Sequence, residues 1–357
     1  MKRNLNGLAS VITGAMLMLN PAKGMSQAND QLREILTAAH RNAVDPQVIR
    51  FSATSTLRLE FEGEEPQVVW TETSARVQGT RMELENRTTH ESPSEEGPNA
   101  AAAFVQRASW DGERYYSTQY HGGPGEPLRT VSDSAGAGRT VLASPKAGSF
   151  LEGKLTVLPP HPPEGSLFGW LLQRNDARLE PSAEAVGGHP CWVIKAETEH
   201  GSFAVWVDPN YGYRLRRVSA TRRIGDGPGG VGWTRLSVDD VRIEKVGEDF
   251  FSTFGILVIE RVSADGKRKV ETIGVLREGV TAENAPSAEL GFLPAWDDGA
   301  RVFHVEKARY MVWRDGALEA EVSDAGVKRI EETVTALEEE ARQGSPRLVE
   351  ALHKRAN

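Results

Sequence analysis

Alternation of apolar and polar residues with a period of two is the feature that most restricts how this chain can fold. The run "STLRLEFEG" (55–63) places Leu57, Leu59 and Phe61 on one side and charged side chains on the other. Similar short runs recur from Phe51 to about residue 322. Because successive side chains of a strand point to opposite faces, the pattern predicts many strands that each bury one face.

The turns between these runs predict how the strands are connected. Asp-Gly pairs stand between extended runs at Asp111-Gly112, Asp265-Gly266 and Asp315-Gly316. This pair suits the two-residue type I′ hairpin, in which both central residues need positive φ. With a fourth turn at Gly201, the spacing favours an antiparallel meander over βαβ units. We therefore expect a mainly β fold with peripheral helices.

Other segments interrupt the meander. "NDQLREILTAAHRNA" (29–43) places Leu32, Ile35, Leu36 and Ala39 on one face of a helix. "SLFGWLLQ" (166–173) predicts a short buried helix or strand. The stretches 89–102 and 121–138 are polar and rich in glycine and proline, and they predict loops.

The C-terminal tail, 323–357, is charged and has helical periodicity. The apolar residues that form its narrow stripe are Val327, Ile330, Val334, Leu337 and Ala341. This spacing predicts an amphipathic helix that docks on the β domain or projects from it. Dimerisation through the helix is the alternative, because two heptads do not establish a coiled coil. We expect a monomer rather than an oligomer.

The first 28 residues have the features of an export signal. Lys2 and Arg3 precede a short apolar run, and Ser26 and Ala28 form a small-x-small cleavage site. The run is too short to span a bilayer comfortably, although a retained anchor is the alternative. The prediction is cleavage after Ala28, a β domain over 29–322, and a periplasmic or secreted protein that is not an integral membrane protein.

Charge and cysteine content exclude several classes of function. Loss of the signal removes three positive charges and no negative ones, which changes the formal net charge from −8 to −11. Such a chain has no general attraction to nucleic acid. The single cysteine, Cys191, excludes an internal disulfide framework and any multi-cysteine metal site.

Signatures of catalysis are scarce. The string "GDGPGG" (225–230) matches the glycine spacing of a dinucleotide-binding motif, but it contains a proline and precedes a strand pattern, so it predicts a turn. The histidines show no metal-ligand spacing, and Cys191 lies among apolar strand residues, where thiols are usually inert. We expect no catalytic residues, no bound metal and no cofactor.

The stretch "GHPCWVIKAETEHGSFAVWVDPNYGYRLRRVS" (188–219) carries the candidate site. If His200 and Gly201 form a two-residue turn, Ala196 lies opposite Val205 and Ile194 lies opposite Val207. One face then carries Trp192, Ile194, Ala196, Phe203, Val205 and Val207. Such a face needs a cover, which is either a second protein layer or an acyl chain held on the concave side of a curved sheet.

Strings in this region resemble the exported lipoprotein-carrier proteins of the LolA-like and RseB-like superfamily. They are "CWVIKAE" (191–197), "FAVWVDPNYGYRLRRVS" (203–219) and "ASWDGERYYSTQY" (108–120), with "LPAWDDGARVFHVEKARYMVWRDG" (293–316) resembling the closing segment of large members. The resemblance implies an unclosed half-barrel of antiparallel strands with helices on its concave face. It also implies binding of lipids or lipoprotein acyl chains, or sensing of their mislocalisation.

Three functional hypotheses follow. The first is a non-enzymatic lipid- or lipoprotein-binding protein of the cell envelope that holds acyl chains in the apolar groove. The second is an interaction or envelope-sensing module with a filled groove, which contacts an envelope protein through the C-terminal helix. The third is an exported hydrolase or carbohydrate-active enzyme that uses some of the eight tryptophans to stack on sugars.

Overall fold

The computed structural model describes residues 21–43, 47–91, 104–120, 126–155, 166–198, 201–224, 232–283 and 292–320. The predictions made for residues 1–20, for the string at 225–230 and for the helix within 323–357 lie outside these residues, as do residues 92–102 of the loop predicted over 89–102. The first three residues of that predicted loop, 89–91, are strand, because they continue a paired strand. No helix in the described part of the chain is both long enough and apolar enough to cross a membrane.

Strands make up most of the described chain, with three α-helices between them. The helices are α1 (Pro21–Ala43), α2 (Ala135–Leu142) and α3 (Leu167–Leu172). The strands are β1 (Val48–Phe61), β2 (Gln67–Gln78), β3 (Arg81–Glu91), β4 (Phe104–Trp110), β5 (Tyr115–Tyr120), β6 (Leu128–Ser132), β7 (Ala177–Leu179), β8 (Glu184–Val186), β9 (His189–Thr198), β10 (Gly201–Asp208), β11 (Arg214–Ile224), β12 (Gly232–Val246), β13 (Asp249–Val262), β14 (Arg268–Glu283), β15 (Arg301–His304), β16 (Arg309–Arg314) and β17 (Ala317–Ala320).

All the strands belong to one open, curved sheet. Its order is β17-β16-β15-β6-β5-β4-β3-β2-β1-β14-β13-β12-β11-β10-β9, and β7 and β8 pair with opposite ends of β9. Every pairing is antiparallel except that of β6 with β15. The predicted mainly β, mostly antiparallel architecture is therefore confirmed.

The helices and two short 3-10 turns, Pro145–Ala147 and Ser149–Glu152, pack on one face of this sheet. The predicted apolar face of α1 is buried there: Leu32, Ile35, Leu36 and Ala39 are at most 7% exposed. Their burial follows from the i, i+3, i+4 spacing, which lines the four side chains up toward the sheet. The segment 166–173 contains the buried helix α3, as expected.

Two elements contradict the prediction of a loop over 121–138. Within its described part, Leu128–Ser132 forms β6 and α2 begins at Ala135. Small and polar residues suggested a loop, but β6 is fixed by pairing on both sides, with β5 and with β15. Tertiary pairing therefore overrides the weak local preference.

The Asp-Gly pairs all lie in hairpins, but only one forms the predicted two-residue turn. Asp315 and Gly316 have φ of 48° and 76° and connect Arg314 directly to its partner Ala317. The other two connections are longer. At Asp111, the carboxylate accepts hydrogen bonds from the backbone N–H groups of Glu113 and Arg114, both at 2.7 Å, which stabilises a wider turn.

The predicted register of the β9–β10 hairpin is wrong by two residues. Phe203 lies opposite Ala196, and Val205 lies opposite Ile194, so Gly201 already pairs with Thr198. Gly201 serves a different purpose: a Cβ there would meet the carbonyl oxygen of Thr221 in β11 at 2.0 Å. Because the register differs by two residues and not by one, the predicted membership of each face is unchanged.

Candidate functional site

The concave face is covered at its centre by residues 144–155, which we call the plug segment. It contains both 3-10 turns, and its side chains Phe150 and Leu151 are at most 1% exposed. Leu151 lies against Gly255 of β13, where a Cβ would approach its methyl carbon to 2.5 Å. A glycine in the strand thus makes room for the plug segment to approach the sheet.

One arginine attaches the plug segment to the sheet. Arg277 of β14 donates from Nε to the carbonyl oxygen of Ala147 at 3.0 Å and from Nη2 to that of Gly148 at 2.8 Å. The same guanidinium forms a two-point ion pair with Glu152, in which Nη2 and Oε2 are 3.0 Å apart. Since Arg277 is 8% exposed, these are charge-assisted bonds in a largely dry environment.

The six predicted site residues lie on one face and inside the main core. Ile194, Ala196, Phe203, Val205 and Val207 are at most 3% exposed, and Trp192 packs at the edge of the same cluster. Trp170 of α3 covers Phe203, with ring centroids 4.9 Å apart. In this conformation protein side chains fill the space over the predicted face.

A small cavity of about 30 Å³ lies beside the plug segment, between it, the end of α1 and the sheet. Its lining combines apolar side chains with the buried charged residues Lys154, Arg214 and Arg277 and the partly exposed Glu152. The alternation of residues in β14 indicates that Arg277 points inward. Val275 and Arg277 share the inward face, whereas Leu276 points outward and is 43% exposed, so an arginine takes a position where an apolar residue is expected.

A larger cleft of about 510 Å³ lies on the opposite, outer face of β1–β5. Its charged side chains are mostly paired across strands, as in Arg76–Glu83 at 2.8 Å and Arg107–Glu85 at 2.7 Å. Trp296 borders the cleft and donates a hydrogen bond from Nε1 to Thr118 Oγ1 at 2.7 Å. The arrangement consists of cross-strand ion pairs beside aromatic side chains.

Asp133, His304 and Glu306 form a further cluster of titratable groups. Asp133 lies 3.3 Å from Nε2 of His304, and Glu306 lies 3.4 Å from Nδ1 of the same ring. The two carboxylates contact different ring nitrogens, and one ligand atom from each of the three residues lies within 4.8 Å of the others. Hydrogen bonds to Glu306 depress its pKa, and this cluster connects β15 to the end of β6.

The fold defined by these elements is an open, curved sheet whose apolar concave face is covered by helices and the plug segment. The chain is similar to the solved structure of a DUF1329 family protein from Desulfovibrio piger ATCC 29098, with a TM-score of 0.38 and 10% identity over 72% of this chain and 95% of that one. It is also similar to a LolA superfamily protein from Nitrosomonas europaea, with a TM-score of 0.32 and 11% identity over 73% of this chain and 97% of that one.

A LolA superfamily protein is thus among the structures that the chain resembles, as the strand strings predicted. No protein-family model and no curated protein matches the chain. At these TM-scores the likeness concerns general architecture, so any functional interpretation depends on the residues of this chain.

Proposed function

We propose that the protein is a non-enzymatic, exported lipid- or lipoprotein-binding protein of the bacterial cell envelope, which holds acyl chains against the concave face. The observation that carries the proposal is the cover of that face. The sheet is apolar where Leu151 of the plug segment packs, beside Val241 and Gly255, and the plug segment itself consists of two 3-10 turns attached through Arg277. A cover of this kind can be replaced by a ligand without unfolding the sheet.

The energetics favour an exchange of one apolar cover for another. Each buried methylene contributes about 0.8 kcal/mol, so a chain of about ten methylenes contributes about 8 kcal/mol before costs. Phe150 and Leu151 lose a comparable burial when they leave, at about 1.5–3 kcal/mol for each side chain. The Arg277 bonds to Ala147, Gly148 and Glu152 then set how readily the plug segment opens.

No catalytic step is needed for this activity. The thiol of Cys191 is completely buried, and burial followed by the nearby charge of Asp208 raises its pKa to about 11. Its sulfur donates to the carbonyl oxygen of His189 at 3.4 Å. A thiol in this state supplies neither an accessible nucleophile nor a thiolate at neutral pH.

The test is native mass spectrometry of the full chain purified from a bacterial host that exports it, with organic extraction of the same sample. We expect a co-purified lipid or acyl species of defined mass. Arg277→Leu should bind added dodecanol at least about tenfold faster than wild type, because the plug segment opens more often. Arg217→Leu is the control, since Arg217 pairs with Asp239 on the partly exposed outer side of β11. A ligand-free mass, with none of the offered lipids retained, would refute the proposal.

The interaction or envelope-sensing module is the second candidate, and the complete coverage of the predicted groove favours it. If the cover never opens, the fold presents a rigid surface and no binding groove. Hydrogen exchange distinguishes the lipid-binding hypothesis from the interaction-module hypothesis. In an interaction module the amides of Leu151 and Gly153 should exchange as slowly as those of the central strands, whether or not lipid is present.

A further inference from the structure

Lys154 is a buried lysine for which the described structure offers no counter-charge at bonding distance. Its side chain lines the small cavity and is 7% exposed. Among the residues that the structure describes, its ammonium group makes no hydrogen bond and no ion pair. Burial lowers the pKa of this lysine, as expected for a charge that has lost water without gaining a full partner.

The carboxylate nearest to Lys154 in sequence is already occupied. Glu152 uses both oxygens on Arg277, which is itself saturated by the carbonyl groups of Ala147, Gly148 and Ser252. On the other wall, Arg214 donates to the carbonyl oxygen of Asn42 at 3.2 Å and lies over the Phe251 ring at 5.1 Å. With Lys154 protonated, three cations and one carboxylate line the cavity, which leaves an excess of positive charge.

The size of the cavity limits which anions could enter it and neutralise this charge. One water needs about 10–15 Å³ of such volume, so a cavity of about 30 Å³ holds roughly two water-sized groups. The two oxygens of a carboxylate match that space, whereas the four oxygens of a phosphate exceed it. Apart from Asn42, Ser149 and Gly79, the rest of the lining is apolar and includes Phe51, Met82 and Val280. Because the carboxylate fills the cavity, an attached apolar chain would extend beyond it, into the space that Phe150 and Leu151 leave when the plug segment opens.

We infer that Lys154, assisted by Arg214, binds the carboxylate of a ligand, and that the ligand class is a fatty acid or a similar carboxylate carried on an apolar chain. That the ligand carries an apolar chain rests on the proposed function, whereas the binding of its carboxylate does not. A free small carboxylate offers the same chemistry at the same two side chains, and the experiment separates these two sources.

The experiment compares dodecanoate, dodecanol and acetate on the full chain by isothermal titration calorimetry. Wild type should bind dodecanoate at least about tenfold more tightly than dodecanol, because a charge-assisted bond replaces a neutral one. Lys154→Met should remove this preference, so that the variant binds dodecanoate no more tightly than dodecanol. Lys146→Met is the matched control: Lys146 lies in the same segment but bonds to Thr88 Oγ1 at 3.3 Å and does not line the cavity.

Methionine matches the length of lysine and adds no charge, so circular dichroism should show a folded variant. Lys154→Gln provides a second neutral variant. Equal affinity of wild type for dodecanoate and dodecanol would overturn the inference while the proposed function stands, as would a preference that survives both Lys154 variants. If acetate is the one ligand of the three that binds, and Lys154→Met abolishes its binding, the carboxylate site exists but takes a free small carboxylate. That outcome would refute the proposed function. Binding of none of the three would refute both.

Discussion

Cys191 illustrates how strongly one residue's chemistry depends on the strands around it. Its side chain is on the outer face of β9, where β8 pairs alongside, with Glu184 opposite Cys191. Asp208 is also completely buried nearby, with Oδ2 3.0 Å from Nε of Arg216. Loss of water and the negative charge of Asp208 both disfavour the thiolate.

The prediction at this scale is that the native thiol is unreactive at pH 8. A pKa raised from 9.0 to about 11 means that the thiol stabilises the fold below pH 9 and that this contribution is lost as the pH rises through about 11. Iodoacetamide should therefore alkylate Cys191 in urea but not in the folded protein at pH 8, as read by mass spectrometry. Fast alkylation of the folded chain at pH 8 would contradict the burial and the raised pKa together.

Residue-level prediction succeeded where alternation is regular and failed where charge is buried. The alternation in β9 and β10 placed Ile194 and Phe203 on one face, and the structure agrees. Arg277 also obeys the alternation, but charged residues are seldom buried, so the pattern alone does not predict that its side chain is buried. Lys154 gave no signal, because it follows a 3-10 turn that ends at Gly153 with φ of 73°, where no periodicity exists.

At the scale of elements, the local sequence pattern identified most strands but not the segment that covers their concave face. The plug segment contains small, aromatic and charged residues in two short turns, and its position is fixed by Arg277 and by the space at Gly255. Arg277 and Gly255 are each separated from the plug segment by roughly 100 residues or more of sequence. A pattern read over a short stretch of sequence therefore cannot reveal these contacts. The same reason explains why β6 and α2 were expected to be loop.

Gly255 should therefore be a point where a single methyl group disturbs the plug segment. Gly255→Ala places a Cβ about 2.5 Å from the Leu151 methyl carbon, and we expect a loss of about 1–3 kcal/mol in the free energy of unfolding. Gly274→Ala on the neighbouring β14 is the control, because nothing lies within 4 Å of its Cβ position. Urea denaturation checks both variants. Equal stability of the two would show that the plug segment does not depend on this contact.

At the scale of the whole molecule, the sheet is joined by a pairing that local pattern does not reveal. β1 pairs with β14 from Val48–Glu283 to Phe61–Lys269, which unites the strands of the first half with those of the second. A meander predicts that neighbours in sequence pair, and most do. The pairing of β1 with β14 and the parallel pairing of β6 with β15 join strands that are far apart in sequence, so they depend on how the whole chain packs around its core.

The far end of the sheet is less firmly attached than β1 is to β14. Tyr116, Val131, Val302 and Trp313 form an apolar cluster separate from the main core. The parallel register of β15 on β6 is short: it consists of the pairs Phe303–Thr130 and His304–Val131, next to which Val305 N–H donates to the carbonyl oxygen of Val131 at 2.9 Å. Trp296 packs edge-on against Trp313, with ring centroids 5.2 Å apart, so aromatic contacts hold much of this end.

We therefore expect β15–β17 to open before the rest of the molecule. In native-state hydrogen exchange, their amides should exchange faster than those of β1 and β14. Trp313→Ala removes the centre of the small cluster, a change that costs about 3–5 kcal/mol for a buried aromatic, and it should accelerate exchange only in β15–β17 and their neighbour β6. If β1 and β14 accelerate by the same factor, the terminal strands and the main core form one cooperative unit, and the separate cluster has no independent stability.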